Sequence, residues 1–562
     1  MIDAKYINLI TIVCVVAAAA LIAVLMFAPG LLGITEKERI VTYASMFDED
    51  AITEINIVIS DAQWNDILEN PLAEEYHRCD IVINGVTYPS VGIRTKGLTS
   101  LSQVASSDSD RYSFKLKADE YVNDQSFAGL SEFVVNNVYQ DATYMKEYLS
   151  YDLMEYMGVP TPLVTYANIS INGEPFGLYV MIESVEDDFA SRVFGVNYGN
   201  LYKPESMDNA GGGGGGDFGA GGRPEGMENF GGMGDAPAGM EMGNFDPSAM
   251  MPPTKQQNGN GNANANTTFD FSERNGNMVP GGMGGFGGSG GGADLIYTDD
   301  SIESYAHIFN NTVLSKTKKA DKQRVVTALK HLNEGTDLET YVDVDEVLRY
   351  FAANTALVNL DSYVSSLKHN YYLYEDGKGQ ISILPWDFNL AFGAFQSGSA
   401  TSSVNFAIDT PVTGVSLEDR PLIGKLLEVP EYKERYHAYL QEIVDGYFAS
   451  GYFAAKIDSL NELIAPSVEA DPTAFYSYAE YQKAIESLKL FGELRAESIA
   501  GQLDGSIPST DAGQTETPSA LIDASSLNMN DMGSMGGGGA GGFGEGFGEG
   551  RNQNGGGMNF PQ

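Results

Sequence analysis

The stretch "HNYYLYEDGKGQISILPWDFNLAFG", residues 369–393, indicates how the second half of the chain folds. Two runs of aromatic and β-branched residues flank the polar "EDGKGQ", a pattern that predicts a β-hairpin. Asp387 ends the second run, between Trp386 and Phe388. A carboxylate among core-forming residues is costly unless it is hydrogen-bonded, paired or bound to a cation, so Asp387 is a candidate functional residue.

A second aspartate precedes the hairpin. Asp361, in "NTALVNLDSYVSS", follows an apolar helix predicted over 343–358 and stands 26 residues before Asp387. In phosphoryl transfer, one carboxylate takes the hydroxyl proton and another holds Mg²⁺ on the nucleotide phosphates. From the spacing alone the structural alternative stays open: Asp361 would cap a helix or turn, and Asp387 would be a hydrogen-bonded turn residue.

The chain divides into two parts with different patterns. Residues 40–209 are rich in strand-like runs, and two Asn-Gly pairs at 84–85 and 172–173 predict hairpins. Residues 294–508 are mostly helical in pattern, apart from the hairpin above. The predicted fold class is α+β, with a β-rich N-terminal lobe, a helical C-terminal lobe and a cleft between them.

Glycine accounts for 65 of the 562 residues and concentrates in two segments. Residues 210–293 contain runs such as "GGGGGGDFGAGG" and almost no aliphatic residues, and the acidic residues 509–562 are similar. Such segments bury too little apolar surface to offset the entropy of ordering, so we expect both to be disordered. No G-x-x-x-x-G-K-[ST] sequence occurs, so the glycines do not form that phosphate-binding loop.

Residues 7–28, "INLITIVCVVAAAALIAVLMFA", carry no charge and as a helix would span about 33 Å, the thickness of a bilayer's hydrocarbon core. We expect a membrane anchor here, with a cytoplasmic stub at residues 1–6 and an extracytoplasmic main domain. A cleaved signal peptide is the alternative. The formal net charge of −43 argues against nucleic acid as a partner, because neutralising phosphates requires a basic face.

Several motifs, in this order, resemble the CotH family of spore-coat proteins. The resemblance covers about 91–505 without the glycine-rich insert and rests on "VGIRTKG", "RYSFKLK", "YMGVP", "INGEPFGLYVMIESVEDDF", "GNLYK", "VDVDEVLRYFAANTALVNLDSY", "KHNYYLYEDGKGQISILPWDFNLAFG" and "LEVPEYKERYHAYL". The resemblance implies an atypical protein-kinase fold. It also implies an enzyme that phosphorylates secreted or coat proteins on serine.

The resemblance also implies roles for individual residues. Asp361 would be the catalytic aspartate, and Asp387 the metal-binding one. The chain departs from the family pattern at Asn389, where many members have a second aspartate. An amide oxygen still coordinates a divalent cation, but it binds more weakly because it carries no charge.

Further nucleotide-site residues are expected around the cleft. In "RYSFKLK", Lys115 and Lys117 share one face of a strand and could reach phosphates, with Lys115 favoured; a solvated strand face is the alternative. Glu183 could pair with that lysine, as kinases pair theirs. Asn370 could supply a second metal contact, and Arg94 fits the family's arginine in the preceding strand.

Two functions follow from these expectations. The first is a membrane-anchored, extracytoplasmic kinase that uses ATP with Mg²⁺ or Mn²⁺ and phosphorylates Ser or Thr of cell-surface or spore-coat proteins. The second is a surface adhesion or assembly protein with a kinase-like fold and little or no catalysis. Asp361 and Asp387 favour the first function, and the missing charge at Asn389 favours the second.

Overall fold

The computed structural model of the protein describes residues 41–205, 291–395 and 398–533. The expected anchor at 7–28 and nearly all of the expected insert at 210–293 lie outside these residues. Within the described ranges, no helix is both long enough and apolar enough to cross a bilayer.

The N-terminal part is built around a closed barrel whose strands follow the order β1-β2-β3-β4-β5-β7-β6. Neighbouring strands are antiparallel, except that β6 returns beside β1 in parallel and closes the ring. The strands are β1 Thr53–Val58, β2 His77–Ile83, β3 Val86–Lys96, β4 Ser113–Lys117, β5 Glu132–Asn136, β6 Val164–Ile171 and β7 Glu174–Glu183.

The two Asn-Gly pairs form the predicted hairpins. Asn84 and Asn172 have φ values of 47° and 53°, and each is followed by a glycine that also has positive φ. Positive φ at both central residues is the geometry that matches the twist of paired strands. The pairs Ile83–Val86 and Ile171–Glu174 therefore close the two hairpins.

Alternation along the strands separates the apolar barrel interior from an outer face that carries both cations and apolar residues packed against the helical part. On β4, Phe114 and Leu116 are fully buried in the barrel core, and Lys115 and Lys117 point to the opposite side. The register pairs Arg94 on β3 with Lys115, so these two cations lie on the same outer face.

Helices connect the barrel strands and surround the barrel. They are α1 Asp61–Glu69, α2 Thr99–Ala105, α3 Lys146–Tyr156 and α4 Asp187–Phe194, with 3₁₀ turns at Thr42–Met46 and Pro71–Ala73. Ser60 is a residue type preferred at helix starts, and it caps α1, because its side chain accepts a hydrogen bond from Gln63 N.

The C-terminal part is mainly helical. Its helices are α5 Ala306–Phe309, α6 Lys319–Glu334, α7 Leu338–Tyr341, α8 Val344–Ala356, α9 Ala400–Val404, α10 Pro421–Leu427, α11 Pro430–Glu442, α12 Tyr452–Ala470, α13 Tyr478–Asp504 and α14 Asp511–Glu516; a π-helix covers Ile443–Phe448, and 3₁₀ turns cover Ile302–Tyr305, Leu417–Asp419, Pro518–Ala520 and Met529–Met532. The chain is therefore α+β, with a β-rich part followed by a helical part.

A small sheet in the helical part contains the predicted hairpin. Its strands β9 (Tyr371–Glu375) and β10 (Ile381–Pro385) pair as expected, and β8 (Asn200–Tyr202) adds a third strand beside β9. We had placed β8 in the N-terminal lobe, which extended to residue 209. It joins the other sheet because buried Glu375 accepts a hydrogen bond from Asn200 Nδ2 at 2.8 Å and is paired with Arg324.

The boundary predicted at residue 508 is too early. Residues 509–533, which we assigned to a disordered tail, contain α14 and two 3₁₀ turns. Ala524, Leu527 and Met532 are at most 5% exposed, so this stretch does contribute apolar surface to the core. The glycine-rich remainder of the tail lies outside the described residues.

The two ends of the insert meet at one residue of the helical part. His307 O accepts a hydrogen bond from Glu205 N at 3.1 Å, and His307 N donates one to Gly291 O at 2.8 Å. Ala293 is 1% exposed, and its carbonyl oxygen accepts a hydrogen bond from Tyr371. The expected insert, which ran to 293, therefore includes residues that belong to the core.

Candidate active site

A cavity of about 490 Å³ lies between the outer face of the barrel and the helical part. Five of the predicted site residues line it, namely Arg94, Lys115, Asp361, Asn370 and Asp387. Lys117 and Glu183 are not among its lining residues. The structure thus brings the two key aspartates together with cations from the barrel.

Asp361 lies in the loop after helix α8 and is held by two neighbours. His369 Nε2 lies 2.6 Å from Asp361 Oδ1, and Asn370 Nδ2 donates to Asp361 Oδ2 at 3.1 Å and to its backbone carbonyl at 3.0 Å. An ionised carboxylate only accepts hydrogen bonds, so His369 directs an N–H at it. The sequence does not single out His369, and only its contact with Asp361 reveals its place in the site.

The loop that carries Asp387 is tied to the end of α8. Phe392 N donates to Leu357 O at 2.7 Å, and Gly393 N donates to Val358 O at 3.2 Å. These bonds place residues 387–393, here called the Asp387 turn, directly beside the chain that leads to Asp361. The hairpin and the turn therefore bring both aspartates to one wall of the cavity.

Asp387 combines an uncommon backbone conformation with an unusual electrostatic environment. Its φ is 59°, in the left-handed region, which is tolerated by Asp and often found at functional sites. Burial raises the pKa of its carboxyl group; the charge of Lys96 opposes this rise, and Asp361 adds to it. Asp387 lines the cavity together with Asp361 and Lys96, so its carboxylate lies where charged groups of both signs meet.

Glu147 is a cavity residue that the sequence did not suggest. It lies on α3, is 4% exposed and accepts a hydrogen bond from Asn136 Nδ2 at 2.9 Å. Burial and then the charge of Asp387 raise its pKa to about 8. A glutamate on the buried side of a helix is the signal that could have identified it.

Lys96 is a further cavity residue that the sequence did not single out. It ends strand β3 two residues after Arg94, so strand alternation places both on the outer face. Its Nζ donates to Asn136 Oδ1 at 2.9 Å and lies 5.7 Å from the centre of the Trp386 ring. Its charge opposes the rise in the pKa of Glu147 and of Asp387, so Lys96 lies near both carboxyl groups.

Lys115 lines the cavity, but its partner is not the expected one. Its Nζ lies 2.6 Å from Glu132 Oε1 and 3.4 Å from Glu186 Oε1. The predicted pair with Glu183 is wrong. Lys115 is in register with Val134, and Val134 with Ile182, so it is Ile182 that shares the face of Lys115, and the next residue points the other way.

Glu183 instead belongs to a buried cluster behind the cavity. It is 0% exposed, pairs with Arg192, and accepts hydrogen bonds from Tyr43 Oη at 2.7 Å and from Leu163 N at 3.0 Å. These contacts satisfy both carboxylate oxygens and anchor α4 to β7. They describe a structural ion pair.

Lys117 and Arg94 occupy different positions on the outer face. Lys117 pairs with Glu120 at 3.3 Å, away from the cavity lining. Arg94 lines the cavity, where it forms an ion pair with Glu74 and lies 5.3 Å from the centre of the Tyr76 ring. Both contacts hold its guanidinium at the cavity wall.

The oxygen donors of the site suit a hard divalent cation. Asp387, Asp361 and Asn389 line one cavity, and Mg²⁺ in nucleotide sites binds one or two carboxylates while its other positions go to phosphates and water. No cluster of three or more His, Cys, Asp or Glu arranged as a complete metal cage occurs among the described residues. The donors present fit a cation that is shared with a substrate phosphate.

Comparison with known proteins identifies the family. Residues 93–499 match the family described as CotH kinase protein, which is more than half of the chain. Inner spore coat protein H of Bacillus subtilis (strain 168) is 28% identical over 138 residues, 24% of this chain and 35% of that protein. The inner spore coat protein H-like protein of the same organism is 29% identical over 86 residues, 15% of this chain and 28% of that protein.

The aligned regions span about a third of the length of these curated relatives. The family match is much longer, and it includes both aspartates and the cations of the cavity wall. The chain therefore belongs to the CotH kinase protein family.

Proposed function

We propose that the protein transfers a phosphoryl group from a nucleoside triphosphate to a Ser or Thr hydroxyl of a protein substrate. The observation that carries the proposal is the pair Asp361 and Asp387 on one wall of a single cavity. A kinase-like division of labour needs this arrangement, because the base and the cation must act on the same phosphate. The match to a family described as kinase supports the reaction class.

Asp361 is the proposed general base. Hydrogen bonds from His369 and Asn370 fix the direction of its carboxylate. A base held in one orientation accepts the hydroxyl proton without first losing side-chain freedom. Asn370 therefore acts through Asp361 in this proposal, in addition to any contact with the metal.

Asp387 and the amide of Asn389 are the proposed holders of Mg²⁺ or Mn²⁺. When bound, the cation would screen the negative charge of the phosphates. Asp387 is partly buried and the neighbouring Trp386 is 8% exposed, which limits the water around this carboxylate. Exclusion of water strengthens the electrostatic attraction between a carboxylate and a cation.

Lys96, rather than Lys115, is the proposed phosphate-contacting lysine. Lys115 is engaged by two carboxylates of the barrel and α4 side, Glu132 and Glu186. Lys96 lies close enough to Asp387 to be the largest charge opposing the rise of its pKa. Lys203 directly follows strand β8 of the small sheet, and its Nζ lies 6.0 Å from the centre of the Trp386 ring. It adds another positive charge near the Asp387 carboxylate.

Substrates and location are proposed from the relatives. Both curated relatives are named as inner spore coat proteins, so we propose that this chain modifies cell-surface or spore-coat proteins. The uncharged residues 7–28 would anchor it to a membrane with the main domain outside. A catalytically weak assembly protein is the second candidate, favoured by the neutral Asn389 where a charged ligand would bind the cation more strongly.

Incubation of the purified chain with γ-labelled ATP and Mg²⁺ or Mn²⁺ tests the reaction. We expect label on Ser or Thr of the chain or of an added coat protein, and loss of this label in Asp361→Asn. The absence of label in the wild-type chain with either metal, under conditions where it is folded, would leave the assembly function as the better candidate.

A further inference from the structure

Residues 521–533, here called the C-terminal segment, lie beyond the family match, which ends at residue 499. The segment packs along helix α13. Lys483 Nζ lies 2.8 Å from Asp531 Oδ1, and Met532 is 1% exposed. These contacts make the segment part of the folded unit.

The segment ends at the start of helix α3. Met532 O accepts a hydrogen bond from Ala142 N at 3.2 Å, and Gly533 O accepts one from Lys146 Nζ at 2.9 Å. Lys146 is fully buried, and a buried ammonium group is stable only where acceptors surround it. The next residue is Glu147, the cavity carboxylate, so the segment fixes the part of α3 that enters the site.

The same segment also contacts the Asp387 turn. A methyl group added to Gly393 would lie 3.0 Å from Met529 Cε, so Met529 packs closely on this glycine. Gly393 is the last residue of the turn and donates its N–H to Val358 O. The segment therefore touches both structures that carry acidic groups into the cavity.

We propose that the C-terminal segment is a positioning element of the site, which holds the Asp387 turn and the start of α3 at a fixed separation. As a consequence, Asp387 and Glu147 face the same cavity in one geometry. The effect on nucleotide binding rests on the proposed function, but the mechanical coupling does not. A catalytic domain ended at the family boundary would lack this element.

Gly533→Ala tests the proposal in the full chain, and Gly505→Ala is the control at a positive-φ glycine away from the site. Both glycines have positive φ, 79° and 82°, but ψ is 143° at Gly533 and 8° at Gly505, so alanine is more strained at Gly533. At Gly533 the methyl would lie 2.5 Å from Gln140 O, whereas nothing lies within 4 Å at Gly505. Only the first substitution pushes the segment away from the cavity wall.

Hydrogen exchange measures the coupling without any assumption about catalysis. We expect Gly533→Ala to accelerate amide exchange in 142–149 and 388–393 by about tenfold, with Gly505→Ala unchanged there. Equal exchange in the two variants would overturn the proposal. Equal acceleration in barrel strands β1 and β2 would also overturn it, because it would show a global loss of stability.

Nucleotide affinity then tests the link to the site. The chain has two tryptophans, so a Trp64→Phe background leaves Trp386, in the cavity, as the reporter of Mg²⁺-ATP binding. We expect Gly533→Ala to weaken binding about fivefold and Gly505→Ala to leave it unchanged. If the background protein binds no Mg²⁺-ATP, the proposed function fails, and the exchange comparison still decides whether the segment positions the turn.

Discussion

Lys96 and Lys115 show how two lysines on one barrel face acquire different tasks. The ion pairs of Lys115 with Glu132 and Glu186 tie β4 to β5 and to the chain before α4. Lys96 stands at the end of its strand, beside the acidic groups at the cavity wall. The position of a lysine along a strand, and not only its face, therefore decides which acidic groups it meets.

Lys96→Met should weaken nucleotide binding, because it removes a cation next to the proposed phosphate position and keeps the aliphatic stem. We expect the Kd for Mg²⁺-ATP to rise about tenfold or more, which corresponds to roughly 1.4 kcal/mol. Lys117→Met is the matched control: this lysine pairs with Glu120 outside the cavity, so its loss should change Kd less than about twofold. Equal effects of the two substitutions in calorimetric titrations would remove Lys96 from the site.

Local signals predicted the elements, whereas the pairing of charged residues depends on register. The Asn-Gly turns, the Ser60 cap and the hairpin of β9 and β10 arise from neighbours in sequence, and all were predictable. The pairing of Lys115 with Glu132 instead of Glu183 follows from the alignment of β4, β5 and β7, which no local pattern specifies. The contact between His369 and Asp361 was hidden for a similar reason, since it depends on the course of the loop.

Asp409 holds residue 509, at the start of the chain that follows the predicted boundary at 508. Its carboxylate lies 2.7 Å from His437 Nε2 and accepts a hydrogen bond from Ser509 Oγ at 2.7 Å, with Lys433 Nζ at 3.0 Å. Burial acts to raise the pKa of Asp409, but these three partners outweigh it and lower the pKa to about 2. The folded-state pKa is below the unfolded value, so the ionised group stabilises the fold above pH 4, and this stabilisation is lost as the pH falls toward 2.

Asp409→Asn should therefore destabilise the protein in a pH-dependent way. We expect a loss of about 1–2 kcal/mol in the free energy of unfolding at pH 7, allowing for partial solvent screening. The difference from wild type should shrink to about half at pH 3 in urea denaturation, because protonation then removes the same charge from the wild-type protein. A difference that is constant between pH 7 and pH 3 would mean that the ionised carboxylate is not the source of the stability.

The insert should be replaceable without loss of the fold. Glu205 and Gly291 both bond to the backbone of His307, so a linker of roughly six Gly and Ser residues in place of 206–290 can join them. We expect the melting temperature to change by less than about 3 °C, since loop length contributes only weakly to stability. The matched control extends the deletion through Ala293, which removes the acceptor of Tyr371 Oη, and should lower the melting temperature clearly. Equal melting temperatures for the two deletions would contradict the boundary at Gly291.

The barrel and the helical part are joined by a buried ion pair. Arg111, which precedes β4, donates from Nη1 to both carboxylate oxygens of Asp471, at 2.9 and 2.8 Å, and both side chains are 0% exposed. Leu178 N on β7 donates to the same carboxylate at 2.9 Å. Such a pair contributes little net stability but fixes geometry, because the charges are stable only when they meet. The pair therefore joins the barrel to the loop between α12 and α13.

The negative charge of the whole chain makes the cations of the cavity necessary for the proposed binding of an anionic nucleotide. With a formal net charge of −43, the molecule repels a nucleoside triphosphate at long range. Arg94, Lys96, Lys115 and Lys203 all line the one cavity where the proposed phosphates bind. We infer that binding depends on this local group of cations together with the divalent metal.

The separation of nucleotide binding from phosphoryl transfer is the most direct measurement. In Asp387→Ala, Mg²⁺-dependent ATP binding should be lost, because the cation loses its carboxylate ligand. In Asp361→Asn, binding should stay within about threefold of wild type while transfer falls about 100-fold or more, as expected for loss of a general base. If both aspartates were only structural, the two substitutions would each lower stability by about 1–3 kcal/mol. Binding and transfer would then change together, and that result would contradict the proposed active site.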